Sequence, residues 1–325
     1  MKNFSDRFIE QFKDLKVDLP DVAKNMEHLY ADYVELVALF SNHSFVTASD
    51  ILDRIKDSGG LRKKENQDEV TVGEENDKNE GWITYIFQII EERSNLFSLE
   101  YPFAFSTNKI ILKDELTHKQ ELYLFLLISS NLDLFNKVRS ELTSDFETIS
   151  YYALKNYLPS HAILKQFGKK TDYLGNAIKK IKDLAVDLKV EVREHEIANI
   201  SERNNQERGL DIIGWIPFRD NCPNLITILG QCACGKEWAS KHHDTKRFKH
   251  YLKFYRLNPF HAIFIPFALI SKGGSKFLRS DDIEENTLVF ERKRIVDLFN
   301  NKSEFDALDS KQIVDKCFIY TEDIV

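Results

Sequence analysis

Apolar residues recur at helical spacing through Val22, Met26, Leu29, Tyr33, Leu36, Val37 and Phe40, after a break at Pro20, which predicts a core-facing helix over 22–40. Thr47-Ala48-Ser49-Asp50 has the form of a capping box and opens a short helix through Ile51, Leu52 and Ile55 that stops at Ser58-Gly59-Gly60. The two helices have the outline of a helix–turn–helix. The second, however, offers a DNA groove only Arg54 and Lys56, beside Asp50, Asp53 and Asp57. From 61 to 81 the apolar pattern almost vanishes among acidic residues, which predicts a linker or mobile loop. Helical pattern returns over 82–95, a break at Tyr101-Pro102-Phe103 marks a hairpin over 99–112, and 121–142 reads as a strongly apolar helix.

From Ser144 the character changes. Phe146, Ile149, Ala153, Leu154, Tyr157 and Leu158 form a helix face that ends before Pro159. Over 161–190 the lysines Lys165, Lys169, Lys170, Lys179, Lys180, Lys182 and Lys189 outnumber Asp172, Asp183 and Asp187, and 190–200 alternates charged with aliphatic residues as a strand does. Two near-continuous apolar runs follow, 210–216 and 225–232, the pattern of strands covered on both faces. Each holds one polar residue that a strand interior normally excludes, Asp211 in the first and Gln231 in the second. Beyond Gly235, a polar segment over 236–253 with an apolar stripe at Trp238, Phe248, Leu252 and Tyr255 predicts a helix. A buried strand over 261–270 and a strand with a short helix over 284–299 complete the pattern. The expected division is a helical accessory domain at 1–143 and an α/β domain at 144–325.

Composition narrows the class. A chain of 325 residues with 42% hydrophobic content can bury a large core. No run reaches the roughly 20 apolar residues of a spanning helix, and the first residues open directly into charged amphipathic sequence, so a cytoplasmic location is expected. Four cysteines are too few for a disulfide framework and suit a reducing compartment. A net charge of −7 argues against indiscriminate polyanion binding. Locally the balance reverses: Lys236, Lys241, Lys246, Arg247, Lys249, Lys253 and Arg256 face only Glu237 and Asp244, a basic band suited to phosphates or else a solvated helix face.

An unpaired carboxylate removed from water is strongly penalised, so Asp211 requires a metal, a cation such as Arg208 or Arg219, or a wet cleft. Cys222, Cys232 and Cys234 with His242 or His243 offer zinc ligands on paper, but they lack the Cys-x-x-Cys turn that wraps the ion. No Gly-x-x-x-x-Gly-Lys-Ser/Thr segment is present to bind ATP.

The ordered context of a strand with Asp211, a hairpin-like return, a strand with Gln231 and a helix, over 145–266, resembles the PD-(D/E)XK nuclease superfamily in its Mrr-like Gln-x-Lys branch. Gly230-Gln231-Cys232, Gly235 and Trp238 are similar to a segment shared by bacterial phage-defence nucleases. The resemblance implies an α/β restriction-endonuclease-like core, a central mixed sheet flanked by helices, behind a mainly α-helical N-terminal domain. It implies Mg²⁺ (or Mn²⁺) held by Asp211, the side-chain oxygen of Gln231 and the backbone carbonyl of Cys232, with Glu147 of the Phe146-Glu147 pair as an additional acid. Ser144-x-x-Glu147 is also a capping box, which leaves a purely local role for Glu147 open. The lysine of Gln-x-Lys is replaced by Ala233, and Lys241, or else Lys236, is the expected substitute from the following helix. Lys236, Lys246, Arg247 and Lys249 would hold DNA phosphates. The implied function is DNA cleavage in anti-phage defence, with a separate ATPase or sensor protein as partner and no membrane. The alternative is a nuclease-fold subunit that binds DNA or acts as a scaffold without cutting.

Overall fold

The computed structural model describes every residue except 1, 2, 14, 23–25, 59–68, 201–208, 219, 272, 275, 276, 278 and 322–325, with 69–78 described by backbone alone. Two compact units divide the chain, one of 1–139, 267–280 and 308–325, the other of 140–266 and 281–307. The boundary expected at 143/144 therefore falls inside a helix, and the region expected as 144–325 yields two stretches to the first unit.

The first unit contains α1 (Phe4–Gln11), α2 (Glu27–Phe40), β1 (Phe45–Thr47), α3 (Ala48–Asp57), α4 (Glu69–Phe97), β2 (Phe103–Ser106), β3 (Lys109–Leu112) and α5 (His118–Ser129). The Thr47–Asp50 capping box forms as the residues dictate. β1 stands between α2 and α3 and joins β3 and β2 in a three-stranded antiparallel sheet, so the two helices are not joined by a simple turn. The expected linker over 61–81 is corrected in its described part, because 69–97 is one helix. Its C-terminal half is anchored by Ile83, Ile86, Phe87, Ile89, Ile90 and Phe97, all buried, and the polar residues before them extend the same helix.

α2 is buried on every side, its Asp32 and Glu35 included. Arg93 of α4 resolves that cost: one guanidinium nitrogen donates to Asp32 Oδ1 at 2.7 Å and to Glu35 Oε1 at 2.9 Å, and the other donates to the carbonyl oxygens of His28 and Ala268 at 2.9 and 3.3 Å. The hydroxyls of Tyr101 and Tyr123 donate to Glu35 at 2.8 and 2.9 Å, and that of Ser130 donates to Asp32 at 2.6 Å. The Ala268 contact ties the returning stretch 267–280 to this unit.

The second unit follows with α6 (Arg139–Tyr157), β4 (Ile163–Gln166), α7 (Ala177–Leu188), β5 (Glu191–Val192), α8 (Glu194–Ile197), β6 (Ile212–Ile216), β7 (Ile226–Cys232), α9 (His242–Lys246), α10 (Phe248–Tyr251), β8 (Leu252–Lys253), β9 (Phe260–Phe264), β10 (Thr287–Phe290), α11 (Arg292–Leu298) and α12 (Lys302–Asp306). The chain then returns to the first unit as α13 (Asp309–Ile319), which packs on α2 and α5. The fold class is mixed α/β, with a central mixed sheet flanked by helices. Its strand order is β10-β9-β7-β6-β4. β10, β9 and β7 run parallel, while β7, β6 and β4 alternate direction.

Alternation along the strands assigns the two faces. Ile212 and Gly214 face α6, where the missing side chain of Gly214 admits Leu154 and Leu158. Ile213, Trp215 and Leu229 face the opposite way and share a core with Ile181, Leu184 and Leu188 of α7 and with Phe248 and Tyr251 of α10.

Several expected elements differ in extent. Of the strand pattern over 190–200 only Glu191–Val192 forms a strand, and α8 follows. The helix expected over 121–142 stops at Ser129, because Ser130 Oγ and Asn131 Nδ2 both donate to the Leu127 carbonyl at 2.8 Å and end the ladder; α6 then starts at Arg139. The helix expected over 236–253 breaks into a 3₁₀ turn at Trp238–Lys241, α9 and α10, and Leu252 joins β8 to pair with β5. The strand expected over 261–270 ends at Phe264, two residues before Pro266. Among the described residues no helix is long and apolar enough to cross a membrane.

Candidate active site

Asp211 sits at the end of the sheet, immediately before β6. Its N–H donates to Gly230 O at 2.9 Å, and its carbonyl accepts the N–H groups of Phe167 and Gly168 at 2.7 and 3.1 Å, so the backbone is held between β7 and the exit of β4. Asp211 Oδ2 accepts the Cys232 N–H at 2.7 Å. The next amide, Ala233 N–H, points the other way and donates to Phe264 O at 2.9 Å. Because a trans peptide is planar with its C=O and N–H opposed, the Cys232 carbonyl must point back toward Asp211. Gln231 Nε2 donates to that carbonyl at 3.2 Å, and among the described residues Gln231 Oε1 is left buried without a hydrogen-bond partner.

α6 brings Glu147 to the same place. A Cβ placed on Gly168 would lie 2.6 Å from Glu147 Oε2 and 3.1 Å from Asp211 Oδ1. Two buried carboxylates thus meet over a residue that has no side chain to separate them. Lys169 N–H donates to Glu147 Oε2 at 3.1 Å. The capping role for Glu147 does not hold, because α6 starts at Arg139 and both Ser144 and Glu147 lie in its interior. Arg208 and Arg219, the structural partners considered for Asp211, lie outside the described residues.

These groups fit a hard divalent cation. Mg²⁺ takes oxygen ligands and retains several waters. Asp211, the Cys232 carbonyl and Gln231 Oε1, unpartnered among the described residues, supply oxygens from two adjacent strands, and the missing side chain of Gly168 lets the Asp211 and Glu147 carboxylates come together. The Cys232 thiol is unsuited to nucleophilic chemistry: burial pushes it well above the usual thiol range, the Asp211 and Glu147 carboxylates push the same way, and the Ser150 hydroxyl opposes them.

Lys241 is turned to Asp244, whose side chain packs where a Cβ on Gly209 would stand. It is exposed, with Nζ 3.7 Å from Asp244 Oδ2, and among the described residues it has no ion pair with Asp211 or Glu147. Lys236 is half-buried just beyond β7. The basic band is partly neutralised within the fold: Lys246 pairs with Glu284, Arg247 with Asp244 at 3.5 Å, and Lys253 with Glu191 at 2.8 Å. Lys249 is exposed and outside these pairs. Many lysines of 161–190 are paired too, Lys165 with Asp187 at 2.6 Å, Lys170 with Asp145 at 3.1 Å, Lys179 with Asp183 at 2.8 Å and Lys182 with Glu194 at 2.9 Å.

Sequence reasoning missed Gly168 and the Lys169 amide. The available signal was Phe167-Gly168-Lys169, a glycine directly after an apolar strand, which marks close approach of another group. No family model matches the chain, and comparison with curated proteins and with solved structures returns no match.

Proposed function

We propose that this protein is a Mg²⁺- or Mn²⁺-dependent DNA endonuclease acting in bacterial anti-phage defence. One observation carries the reading: Glu147, Asp211, the Cys232 carbonyl and the Gln231 oxygen, from one helix and two antiparallel strands, gather at one end of the sheet. The element order supports a restriction-endonuclease-like core. A helix with Glu147, an edge strand, a strand led by Asp211, an antiparallel strand ending in Gln231, short helices and a parallel strand follow one another. Segments α7, β5 and α8 are inserted between the first two strands.

Bound there, a divalent cation would polarise the phosphate and lower the pKa of a coordinated water. Asp211, Gln231 and Cys232 hold and orient, while Glu147 stands beside them to accept the proton that the attacking water gives up. The water oxygen bonds to phosphorus as the bond to the leaving oxygen breaks, and the leaving oxygen takes a proton from solvent. Lys236, Lys249, Lys246 and Arg247 contribute to holding the flanking phosphates, and a separate ATPase or sensor protein supplies activation.

The second reading, a non-cutting DNA-binding or scaffold subunit, is favoured by Lys241, whose ammonium is directed to Asp244. Plasmid incubated with Mg²⁺ or Mn²⁺ separates them. Metal-dependent nicking that Asp211→Asn abolishes supports the endonuclease, nicking that survives this change removes the site assignment, and DNA binding without cleavage under either metal supports the scaffold.

A further inference from the structure

α7 turns Ala177, Ile181, Leu184, Ala185 and Leu188 toward the sheet, and Lys180 stands in the same apolar stripe, only 5% exposed. Among the described residues no carboxylate lies within ion-pair distance of its ammonium. Its recorded contact is the ring of Phe167, with Nζ 6.0 Å from the centroid. Neighbouring lysines show the ordinary solution: Lys179 and Lys182, on the same helix, each reach an acid and remain largely exposed. The Lys180 stem is buried while its ammonium keeps some contact with solvent, and a cation–π contact at the limit of its range contributes little. Among the described residues Lys180 is therefore a cation without a partnering anion.

Its surroundings indicate which anion fits. Phe167 is the cross-strand neighbour of Asp211, to whose carbonyl it donates at 2.7 Å. The following residue is Gly168, over which the Glu147 and Asp211 carboxylates meet. The ammonium thus stands one side chain away from the oxygen cradle, on the α7 face of the sheet, whereas Glu147 approaches from the α6 face. A phosphodiester drawn to the cradle meets two carboxylates that repel it, and negative charge grows on its oxygens as water adds. A cation held in place by a buried stem offsets that charge with little reorganisation.

Resting on the endonuclease reading above, we propose that Lys180 is a catalytic residue whose ammonium contacts the scissile phosphate of DNA, the role that the sequence assigned to Lys241. The test compares wild type, Lys180→Met and Lys180→Arg in plasmid cleavage with Mn²⁺, in binding of a DNA duplex with Ca²⁺, and in thermal melting. The expected result for Lys180→Met is a kcat lower by ~10²-fold or more, DNA binding within about 3-fold of wild type, and a Tm equal to or above wild type, since an unpartnered charge has been removed. Lys180→Arg should recover part of the rate. Wild type that cleaves beside a Lys180→Met that cleaves equally well overturns the assignment of Lys180 alone. Activity lost only in proportion to a lowered Tm overturns it as well, in favour of a structural role. Wild type that cuts under no divalent metal overturns the endonuclease reading and this inference with it.

Discussion

Asp211 and Cys232 are joined across two strands by a 2.7 Å hydrogen bond from the Cys232 amide to the Asp211 carboxylate. The carboxylate therefore has a structural task beside the chemical one proposed for it, and the two are separable. Asp211→Asn keeps an oxygen for the Cys232 N–H and should leave Tm nearly unchanged, while metal-dependent nicking falls by ~10²-fold or more. Asp211→Ala also orphans the amide and should cost about 1–3 kcal/mol in denaturant unfolding. Equal stability of the two variants would show that the hydrogen bond contributes nothing.

Gly168→Ala tests the meeting of the carboxylates. The new methyl would sit 2.6 Å from Glu147 Oε2, the end of a flexible side chain that can move aside. Stability should fall by only about 1 kcal/mol, whereas Mn²⁺ affinity measured by calorimetry and the nicking rate should both drop sharply. A variant that binds Mn²⁺ as wild type does would show that Glu147 and Asp211 need not meet.

His261 gives a pH signature. It is buried, its Nδ1 lies 2.9 Å from Thr245 Oγ1, and burial, helped by Lys249 and Lys246, lowers its pKa to about 4. A folded-state pKa below the unfolded value of about 6.5 means that the unfolded chain binds the proton more readily. The contribution is complete above pH 6.5 and is lost as pH falls toward 4. Stability should decline by roughly 2 kcal/mol across that window, allowing for partial access of water, and His261→Gln should flatten the decline. His242, also lowered mainly by burial, adds in the same direction.

Arg93→Met leaves Asp32 and Glu35 buried without their cation. Loss of one partner from such a group typically costs about 3–5 kcal/mol, so denaturant unfolding of the first unit should move to markedly lower concentration. Unchanged unfolding would mean that the two acids are neutral in the native protein.

The strands 212–216 and 226–232 were legible because a run covered on both faces is apolar throughout, and Asp211 and Gln231 stood out against it. The interior of α6 was less legible, since the polar residues of 139–144 lie at least partly exposed and conceal the helix start. Lysine-rich sequence concealed Lys180: spacing from Ala177 to Ile181, Leu184 and Leu188 puts it on the inward stripe, but charge count alone grouped it with its solvated neighbours. Lys241 was placed by its spacing after Gly235 and Trp238 in the resemblance, and the expected helix that carries it is a 3₁₀ turn followed by short helices, with the ammonium turned to Asp244. The partition into units was hidden because it depends on which distant segments share a core, and no local pattern reports that.

The return of 308–325 to the first unit, with α13 on α2 and α5 and Tyr320 donating to the Leu15 carbonyl at 3.1 Å, has a consequence for synthesis. The first unit cannot complete its packing until α13 has been made, and α13 follows every strand of the five-stranded sheet in the chain. A nascent chain arrested before residue 309 holds every residue of the proposed site while α2 and α5 still lack the helix that packs on them.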